Sequence, residues 1–204
     1  MAAGRHGYID KNKCMYELLR NHFNKYVELT DEEFEQALSF FKFRKFKRHQ
    51  FILQEGDVSK YENYIVKGCT RTYETDDKGQ EHIIQFGIED WWVGDMYSFL
   101  TNTPSLTNII CIEDCEVLQI NADNQEKMCD SIPKLEKHFR KLIQNAYVAS
   151  TRRIYSNLSK PALERYHEFL DRYPQLGQRI PNNYIASYLG ITPQSLSRLR
   201  AANR

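Results

Sequence analysis

The sequence predicts an α+β protein in which a region of short antiparallel strands is followed by a long helix and a C-terminal pair of helices. Three observations predict this fold. Short β-like runs separated by turn residues fill the segment 43–120. Apolar residues then recur at threes and fours from Ile132 to Leu158, and the segment from Asn182 to the end has the spacing of two helices joined by a tight turn.

The N-terminal part begins with a polar segment, 1–15, which we interpret as a leader that precedes a folded domain over 16–132. Thr30-Asp31-Glu32-Glu33 forms a capping box and predicts the start of a helix. Tyr64-Ile65-Val66 ends in Lys67-Gly68, and Asp76-Asp77-Lys78-Gly79 is typical of a hairpin turn. Strands at this regular spacing favour a sandwich or barrel over a parallel α/β sheet.

The segment 133–158 predicts one long helix, about 38 Å in length at 1.5 Å per residue. A helix of this length is too long to bury its whole apolar stripe against one small domain, so half of a coiled coil and a homodimer are expected. A solitary packed helix is the alternative. The residues expected on the dimer face share the apolar period of the helix and are Leu135, Phe139, Leu142, Ala146 and Ala149.

The C-terminal segment, 159–204, has the features of a helix-turn-helix. Ala186 is small enough for two helices to cross closely, and Gly190 suits the left-handed residue that ends the first helix. Thr192 is a good N-cap, and Pro193 suits the first position of a second helix. The apolar residues expected to close a small core around the turn are Ile185, Leu189, Ile191, Leu196 and Leu199.

The outward face of the second helix is polar or basic. It contains no acid, and neither does the whole stretch from Arg179 to Arg204. This composition is typical of a helix presented to the major groove of DNA. We expect base contacts from Gln194, Ser195 and Arg198, because Arg and Gln grip guanine and adenine edges. The expected phosphate contacts are Arg179, Asn183, Arg200 and Arg204. An ordinary amphipathic helix pair is the alternative interpretation.

Charge divides the chain in the same way. Residues 1–132 contain 15 Lys and Arg against 23 Asp and Glu, a net of −8, whereas residues 133–204 contain 13 against 4, a net of +9. This asymmetry favours a sensing domain followed by a module that binds double-stranded DNA. No signal peptide or bilayer-spanning run is present, and five scattered cysteines suit a reducing cytoplasm, so no membrane partner is expected.

Together these elements resemble the cyclic-AMP receptor protein and fumarate–nitrate regulator family of bacterial transcription factors. The residues that carry the resemblance are Gly56-Asp57, Tyr64-Ile65-Val66, Gly68, Arg71, Gly79 with Glu81, Gly94-Asp95 and the segment 113–117. The resemblance implies a cyclic-nucleotide-binding-like β-roll, which is a double-stranded β-helix or jelly roll. It also implies a homodimer that binds a palindromic operator, RNA polymerase as a partner, and a helix-turn-helix whose β-hairpin wing is absent or truncated here.

In that family a phosphate-binding cassette places an acid against the ribose and an Arg against the cyclic phosphate. Gly94 and Asp95 match its start, but the Arg, hydroxyl and Ala positions are filled by Ser105, Leu106 and Thr107. A buried phosphate without its counter-charge costs several kcal/mol. We therefore expect little or no binding of cyclic AMP, unless Arg71 or Lys67 supplies a non-standard phosphate site.

The effector is otherwise open. Aromatic residues near the cassette, which are Tyr73, Trp91, Trp92, Tyr97 and Phe99, favour either an unknown flat apolar small molecule or no effector.

Other chemistries have little support in the sequence, so no cofactor, metal or catalytic residue is predicted. An iron–sulfur sensor needs grouped cysteines, and Cys111 and Cys115 are expected to lie about 13 Å apart if they share a strand. A cupin-like enzyme, the alternative from another class, needs a His-x-His pair that the six histidines do not form. A roll that only binds protein partners leaves the basic helix pair unexplained.

Overall fold

The computed structural model describes the chain from His6 to Ala202, with side chains from Met15 to Ala201. It contains two compact units. Unit 1 comprises the described chain up to Thr70 together with Gly87–Ile143, and unit 2 comprises Arg71–Phe86 together with the chain from Gln144.

Two helices precede the strand region, one short helix interrupts it, and the described chain after the last strand is helical, so strands followed by helices are found as the sequence predicts. The helices are α1 (His6–Asn24), α2 (Asp31–Leu38), α3 (Met96–Thr101), α4 (Ala122–Ser131), α5 (Lys134–Ser159), α6 (Ala162–Arg172), α7 (Leu176–Arg179), α8 (Asn182–Leu189) and α9 (Pro193–Ala202). The strands are β1 (Lys42–Phe46), β2 (Phe51–Leu53), β3 (Glu62–Lys67), β4 (Thr70–Thr75), β5 (Glu81–Gly87), β6 (Trp92–Val93), β7 (Asn108–Cys111) and β8 (Cys115–Ile120).

Unit 1 contains an antiparallel sheet in the order β1-β8-β3-β6, and a separate antiparallel pair of β2 with β7. In the sheet, Val117 on β8 lies between Arg44 on β1 and Ile65 on β3. All of these pairings are antiparallel, so the expectation of a sandwich or barrel built from short strands, rather than a parallel sheet, is confirmed.

The two faces of this sheet have different partners because side chains alternate along each strand. Tyr64, Leu118 and Ile120 belong to a core that also contains apolar residues of α1, α2, α4 and the start of α5. Ile65 and Val117 belong to a second cluster, together with Val93, Cys111 and Cys115. Helices therefore cover one face of the sheet, and the other face lines the interior of the strand region.

The N-terminal boundary differs from the prediction. The capping box at α2 is confirmed, because the Glu33 amide donates to Thr30 Oγ1 (3.2 Å) and the Thr30 amide donates to Glu33 Oε2 (2.8 Å). The leader assigned to 1–15 is wrong from His6 onward, because α1 begins there. Residues 1–5 lie outside the described residues. Leu19 and Phe23 of α1 are fully buried, so packing onto unit 1 stabilises a helix that composition alone does not mark.

Unit 2 combines the β4–β5 hairpin with the helices from α5 onward. The Gly79 amide donates to the Asp76 carbonyl (2.8 Å), which confirms the predicted hairpin turn. An aromatic cluster of Phe86, Phe169, Tyr173 and Tyr188 forms its core, with ring centroids 5.3–6.2 Å apart. The long helix matches the predicted range within one residue at each end.

Candidate functional site

The junction between α8 and α9 has the geometry that its sequence predicts. Gly190 follows α8 with φ 64°, in the left-handed region that glycine enters without a Cβ penalty. The Ile191 amide donates to the Ala186 carbonyl and the Gly190 amide donates to the Ser187 carbonyl, both at 3.0 Å. These two bonds form a Schellman motif, which satisfies the last carbonyls of α8 and turns the chain sharply.

A small apolar core holds the two helices together. Ile185, Ala186, Leu189 and Leu196 are buried, as expected, whereas Ile191 and Leu199 are half-buried. Thr192 Oγ1 accepts the Ser195 amide (3.2 Å), so Thr192 caps α9 as predicted. The orientation of α9 is therefore set by local bonds and by its own apolar side chains.

The exposed face of α9 presents donors that the protein does not use. Gln194, Ser197 and Arg198 are exposed, and no acid lies between Arg179 and Ala202. Ser195 is half-buried, and its hydroxyl accepts from Thr192 Oγ1 (3.0 Å) and from Arg198 Nη2 (3.4 Å). Ser195 thus supports Arg198, while the remaining donors of Arg198 and the amide of Gln194 face solvent.

The residues predicted to contact DNA phosphates differ in their exposure and in their hydrogen bonds within the protein. Arg200 donates from Nε to the Tyr166 hydroxyl (3.0 Å) and from Nη1 to Asn182 Oδ1 (2.5 Å). These bonds tie α9 to α6 and α8 and occupy Nε and Nη1 of Arg200, and its assignment as a phosphate contact stays a prediction. Asn183 is exposed in the first turn of α8, Arg179 is half-buried at the end of α7, and Arg204 lies outside the described residues.

Contacts with the β4–β5 hairpin fix the other side of α8. Ser187 Oγ accepts the Ile83 amide (3.0 Å) and donates to the Glu81 carbonyl (2.9 Å). The Arg71 guanidinium pairs with the Glu81 carboxylate and lies over the rings of Tyr73 (4.2 Å) and Tyr184 (4.4 Å). Sequence reasoning missed this docking because its partners lie about a hundred positions apart.

The cassette of unit 1 is closed by its own side chains. Ser105, in the position of the family's Arg, is 1% exposed and donates from Oγ to Asp95 Oδ2 (2.6 Å). The Ser105 hydroxyl also accepts the Thr107 amide (3.0 Å), and Asp95 Oδ1 accepts the Ser98 amide at the start of α3 (3.2 Å). The structure brings Asp95, Ser105 and Thr107 together, whereas Leu106 is 67% exposed.

Arg71 and Lys67, the two cations that could replace the missing Arg, both have acidic neighbours. Arg71 is paired with Glu81, and Lys67 is exposed at the end of β3 with Asp114 as a charged neighbour. The cassette therefore contains an acid and two hydroxyl groups that satisfy one another.

Gly94 has a role that the sequence did not indicate. A Cβ at this position would lie 2.2 Å from Glu62 Oε1, so the glycine leaves room for a buried carboxyl group. Glu62 Oε1 has no hydrogen-bond partner. Burial, and secondarily the charge of Asp95, raises the pKa of Glu62 to about 8. This carboxyl is therefore largely neutral at pH 7.

The aromatic residues near the cassette do not form one pocket. Trp92 packs on Tyr64 and Phe139 and donates from Nε1 to His22 Nε2 (3.1 Å), whereas Tyr97 is mainly exposed. A groove of about 490 Å³ lies next to the cassette in unit 1, between β2, the following loop and the amide pair Asn63–Gln119; its lining residues Gly56 and Asp57 bond to the Ser105 backbone (2.9 Å each). The predicted effector residues do not line it.

The exposed apolar face of α5 is not the predicted one. Leu135 and Phe139 are buried in the core of unit 1 and Leu142 packs against it, so their assignment to a dimer face is wrong. Ala146 is exposed and Ala149 half-buried. Large apolar residues are exposed on more than one face of α5: Ile143, Tyr147, Ile154 and Leu158 form one heptad-like stripe, and Val148 and Tyr155 lie about 100° away from it. This stripe lies about a third of a turn from the predicted face at 100° per residue.

The cysteines are closer together than expected. Cys111 ends β7 and Cys115 begins β8, so the separation of about 13 Å expected on one strand does not apply. A hydrogen bond between their thiols raises the pKa of Cys111 and lowers that of Cys115. Among the described residues, no three His, Cys, Asp or Glu side chains are grouped as metal ligands. None of the helices formed by the described residues has both the length and the apolar character needed to cross a bilayer.

Comparisons with known proteins identify one domain of this chain and similar regulators. Residues 43–131 match the cyclic nucleotide-binding domain family. Transcriptional regulatory protein btr of Bordetella pertussis is 25% identical over 143 residues, or 65% of this chain and 58% of that protein. Regulatory protein HlyX of Actinobacillus pleuropneumoniae is 25% identical over 167 residues, or 75% and 68%. The structure of FixK2 from Bradyrhizobium japonicum has a similar fold, with a TM-score of 0.66 and 18% identity over 79% of this chain and 83% of that one. The match spans less than two thirds of the length of btr.

Proposed function

We propose that the chain is a member of the cyclic-AMP receptor protein and fumarate–nitrate regulator family and acts as a homodimeric, sequence-specific DNA-binding regulator of transcription; the domain match and the two regulators at 25% identity support this. In this proposal α9 enters the major groove, with Arg198 and Gln194 as base readers. Its unit 1 does not respond to cyclic AMP. No enzymatic activity is part of the proposal, since the two curated relatives described above are regulators.

One observation carries the DNA-binding proposal, which is the unused donors on the face of α9. Gln194 and Arg198 project from a helix whose cap, turn and core are satisfied internally. Arg198 is steadied by Ser195, which reduces the side-chain freedom lost on binding. Phosphate positioning is assigned to Arg179 and Asn183, and also to Arg204, which lies outside the described residues.

The test is selection of a binding site from a pool of random DNA duplexes, followed by measurements of affinity at several salt concentrations. The dissociation constant should rise steeply with salt, because phosphate contacts release counterions. Arg198→Ala should lose about 1 to 3 kcal/mol of discrimination at one base step in each half-site. Arg48→Ala, an exposed change in unit 1, is the control. A loss that is equal for all sequences reassigns Arg198 to the DNA backbone.

The dimer is proposed to form through the stripe on α5. Tyr147 is 73% and Leu158 is 81% exposed, which is unusual for large apolar residues on one helical face. A dimer that reads a palindromic site needs its two α9 helices about 34 Å apart, one turn of DNA, and the proposed pairing is a two-fold one. The double change Tyr147→Glu and Ile154→Glu should give monomers in sedimentation, whereas Ala146→Glu, on the predicted face, should remain dimeric. The reverse result would restore the predicted face.

The effector proposal rests on the bond between Ser105 and Asp95. A cyclic nucleotide would have to break this bond and bury its phosphate without an arginine, which costs several kcal/mol. Isothermal titration with cyclic AMP and cyclic GMP should therefore show no binding near the micromolar range, equivalent to about −8 kcal/mol. If both are silent, the double change Ser105→Arg and Leu106→Ser should restore measurable binding. Micromolar binding to the unchanged protein contradicts the proposal.

A further inference from the structure

A second groove, of about 560 Å³, lies within unit 2 between α5, α6 and the end of α8. Four arginines line it, namely Arg152, Arg153, Arg165 and Arg172, against two acids, Glu168 and Asp171, which leaves a net charge of +2. Glu168 pairs with Lys160 and accepts from the Ser156 hydroxyl, so its charge is already used. The groove therefore has more cationic groups than it neutralises.

Arg153 is one of these cations and is half-buried on α5. Its Nη2 donates to the carbonyls of Ile83 (3.1 Å) and Tyr188 (3.4 Å), and the guanidinium lies 4.1 Å from the centroid of the Tyr188 ring. Within the described part of the chain it makes no ion pair, and its buried Nε has no acceptor. Burial lowers the pKa of Arg153. A buried donor without a partner costs about 1 to 3 kcal/mol, and more when it is charged.

Arg165 repeats this pattern on α6. Its Nη1 donates to the carbonyls of Asn157 (3.3 Å) and Lys160 (3.4 Å), and its buried Nε has no acceptor. Two guanidinium groups in one groove thus lack an acceptor at the same atom. A phosphate group supplies several acceptor oxygens together with the negative charge that both arginines need.

We propose that this groove binds the phosphate group of a small molecule, with Arg153 and Arg165 as its main ligands. At 100° per residue, the α5 residues of the groove lie opposite the exposed apolar stripe, so pairing through that stripe leaves the groove open. A phosphate of the DNA backbone has the same chemistry as a free phosphate. We assign the groove to the free group because its two key donors are buried and its lining includes no residue of α9.

The experiment is isothermal titration of the full chain with inorganic phosphate, and separately with pyrophosphate, at constant ionic strength set with chloride. We expect a dissociation constant of about 0.1 to 1 mM for one of the two, equivalent to roughly −5 kcal/mol. Arg153→Gln and Arg165→Gln should each weaken binding about tenfold or more, the loss expected for a charged hydrogen bond. Arg44→Gln on β1 removes the same charge outside the groove and should bind as the unchanged protein does.

A variant with higher expected affinity distinguishes loss of the site from misfolding, because a misfolded protein would not bind phosphate more tightly. Glu168→Gln removes one of the two carboxylates that line the groove and should tighten phosphate binding about threefold or more. A melting temperature that rises with phosphate only in variants that retain Arg153 supports the same site.

Three results would overturn the proposal. One is the absence of detectable binding of either anion up to about 5 mM. Another is a loss of affinity in Arg44→Gln that equals the loss in Arg153→Gln and Arg165→Gln. The third is displacement of bound phosphate by duplex DNA, which would assign the groove to the DNA backbone. None of these depends on whether α9 reads bases, so failure here is distinguishable from failure of the proposed function.

Discussion

The cassette in unit 1 and the α8–α9 segment in unit 2 both have polar side chains at positions that the sequence predicts to be binding sites, but the side chains of the two regions differ in what they bond to. In the cassette, Asp95, Ser105 and Thr107 bond to one another. On α9, Gln194 and Arg198 keep most of their donors for solvent. A binding surface is distinguished by polar groups that the fold leaves unused, and a family position alone does not provide them.

The same contrast holds for burial. The polar groups of the cassette are enclosed with a carboxyl, Glu62, whose Oε1 lacks a partner among the described residues, whereas the fully buried side chains of the α8–α9 segment are apolar and Gln194 and Arg198 are exposed. Burial of polar groups therefore lowers the stability of unit 1 more than that of the α8–α9 segment, and the following predictions measure this difference as free energies of unfolding.

The largest expected effect is on the pH dependence of stability in unit 1. The folded protein holds a proton on Glu62 up to about pH 8, whereas an unfolded carboxyl releases it near pH 4.5. This contribution is therefore complete below pH 4.5 and is lost as the pH rises through 8. Glu62→Gln should remove about 3 to 5 kcal/mol of that pH dependence, at 1.36 kcal/mol per pKa unit. Urea unfolding at pH 5 and 8.5 measures this pH dependence, with the exposed Glu35→Gln as control. The same change in the free energy of unfolding between the two pH values in Glu62→Gln and in Glu35→Gln would contradict the prediction.

Matched leucine truncations compare the two regions directly. Leu196→Ala should destabilise unit 2 by about 2 to 5 kcal/mol, because it leaves a cavity in the core between α8 and α9. Leu106→Ala, at the exposed cassette position, should change the free energy of unfolding by less than about 0.5 kcal/mol. Thermal denaturation followed by circular dichroism measures both. A large effect at Leu106 would mean that it packs against something in solution.

Removing the Ser105 hydroxyl oxygen tests how much the hydrogen bonds within the cassette stabilise unit 1. Ser105→Ala leaves Asp95 Oδ2 and the Thr107 amide without their partner and should cost about 1 to 3 kcal/mol. Ser197→Ala on the exposed face of α9 should cost about 0.5 kcal/mol or less. Urea titration of both proteins gives the comparison, and equal costs would mean that the cassette bond contributes nothing.

The smallest expected effect concerns the turn after α8. Gly190→Ala should destabilise unit 2 by about 1 kcal/mol, because φ is +64° although a Cβ would meet no atom within 4 Å. Gly177→Ala also meets no atom within 4 Å, has no positive φ, and should stabilise by about 0.4 to 1 kcal/mol. Opposite signs in thermal denaturation would confirm that backbone conformation, and not space, requires Gly190.

Local signals in the sequence predicted the strand region, the long helix, the capping box and the turn before α9, but not α1. Gly190, Thr192 and the capping box at Thr30 act on neighbours within a few positions, so their effects are visible in the sequence. The absence of a basic residue around Ser105 is equally visible, and no fold can supply a charge that this segment lacks.

Tertiary structure decided which surfaces remain available. The apolar period of α5 runs over more than one face, and only its packing on unit 1 shows that Phe139 is buried while Tyr147 is exposed. Arg200 has the composition of a phosphate ligand, but Tyr166, 34 positions away, takes its Nε. The bridge from Ser187 to the β4–β5 hairpin spans 104 positions or more. Exposure and bonding depend on partners that are distant along the chain, and residue spacing carries no information about them.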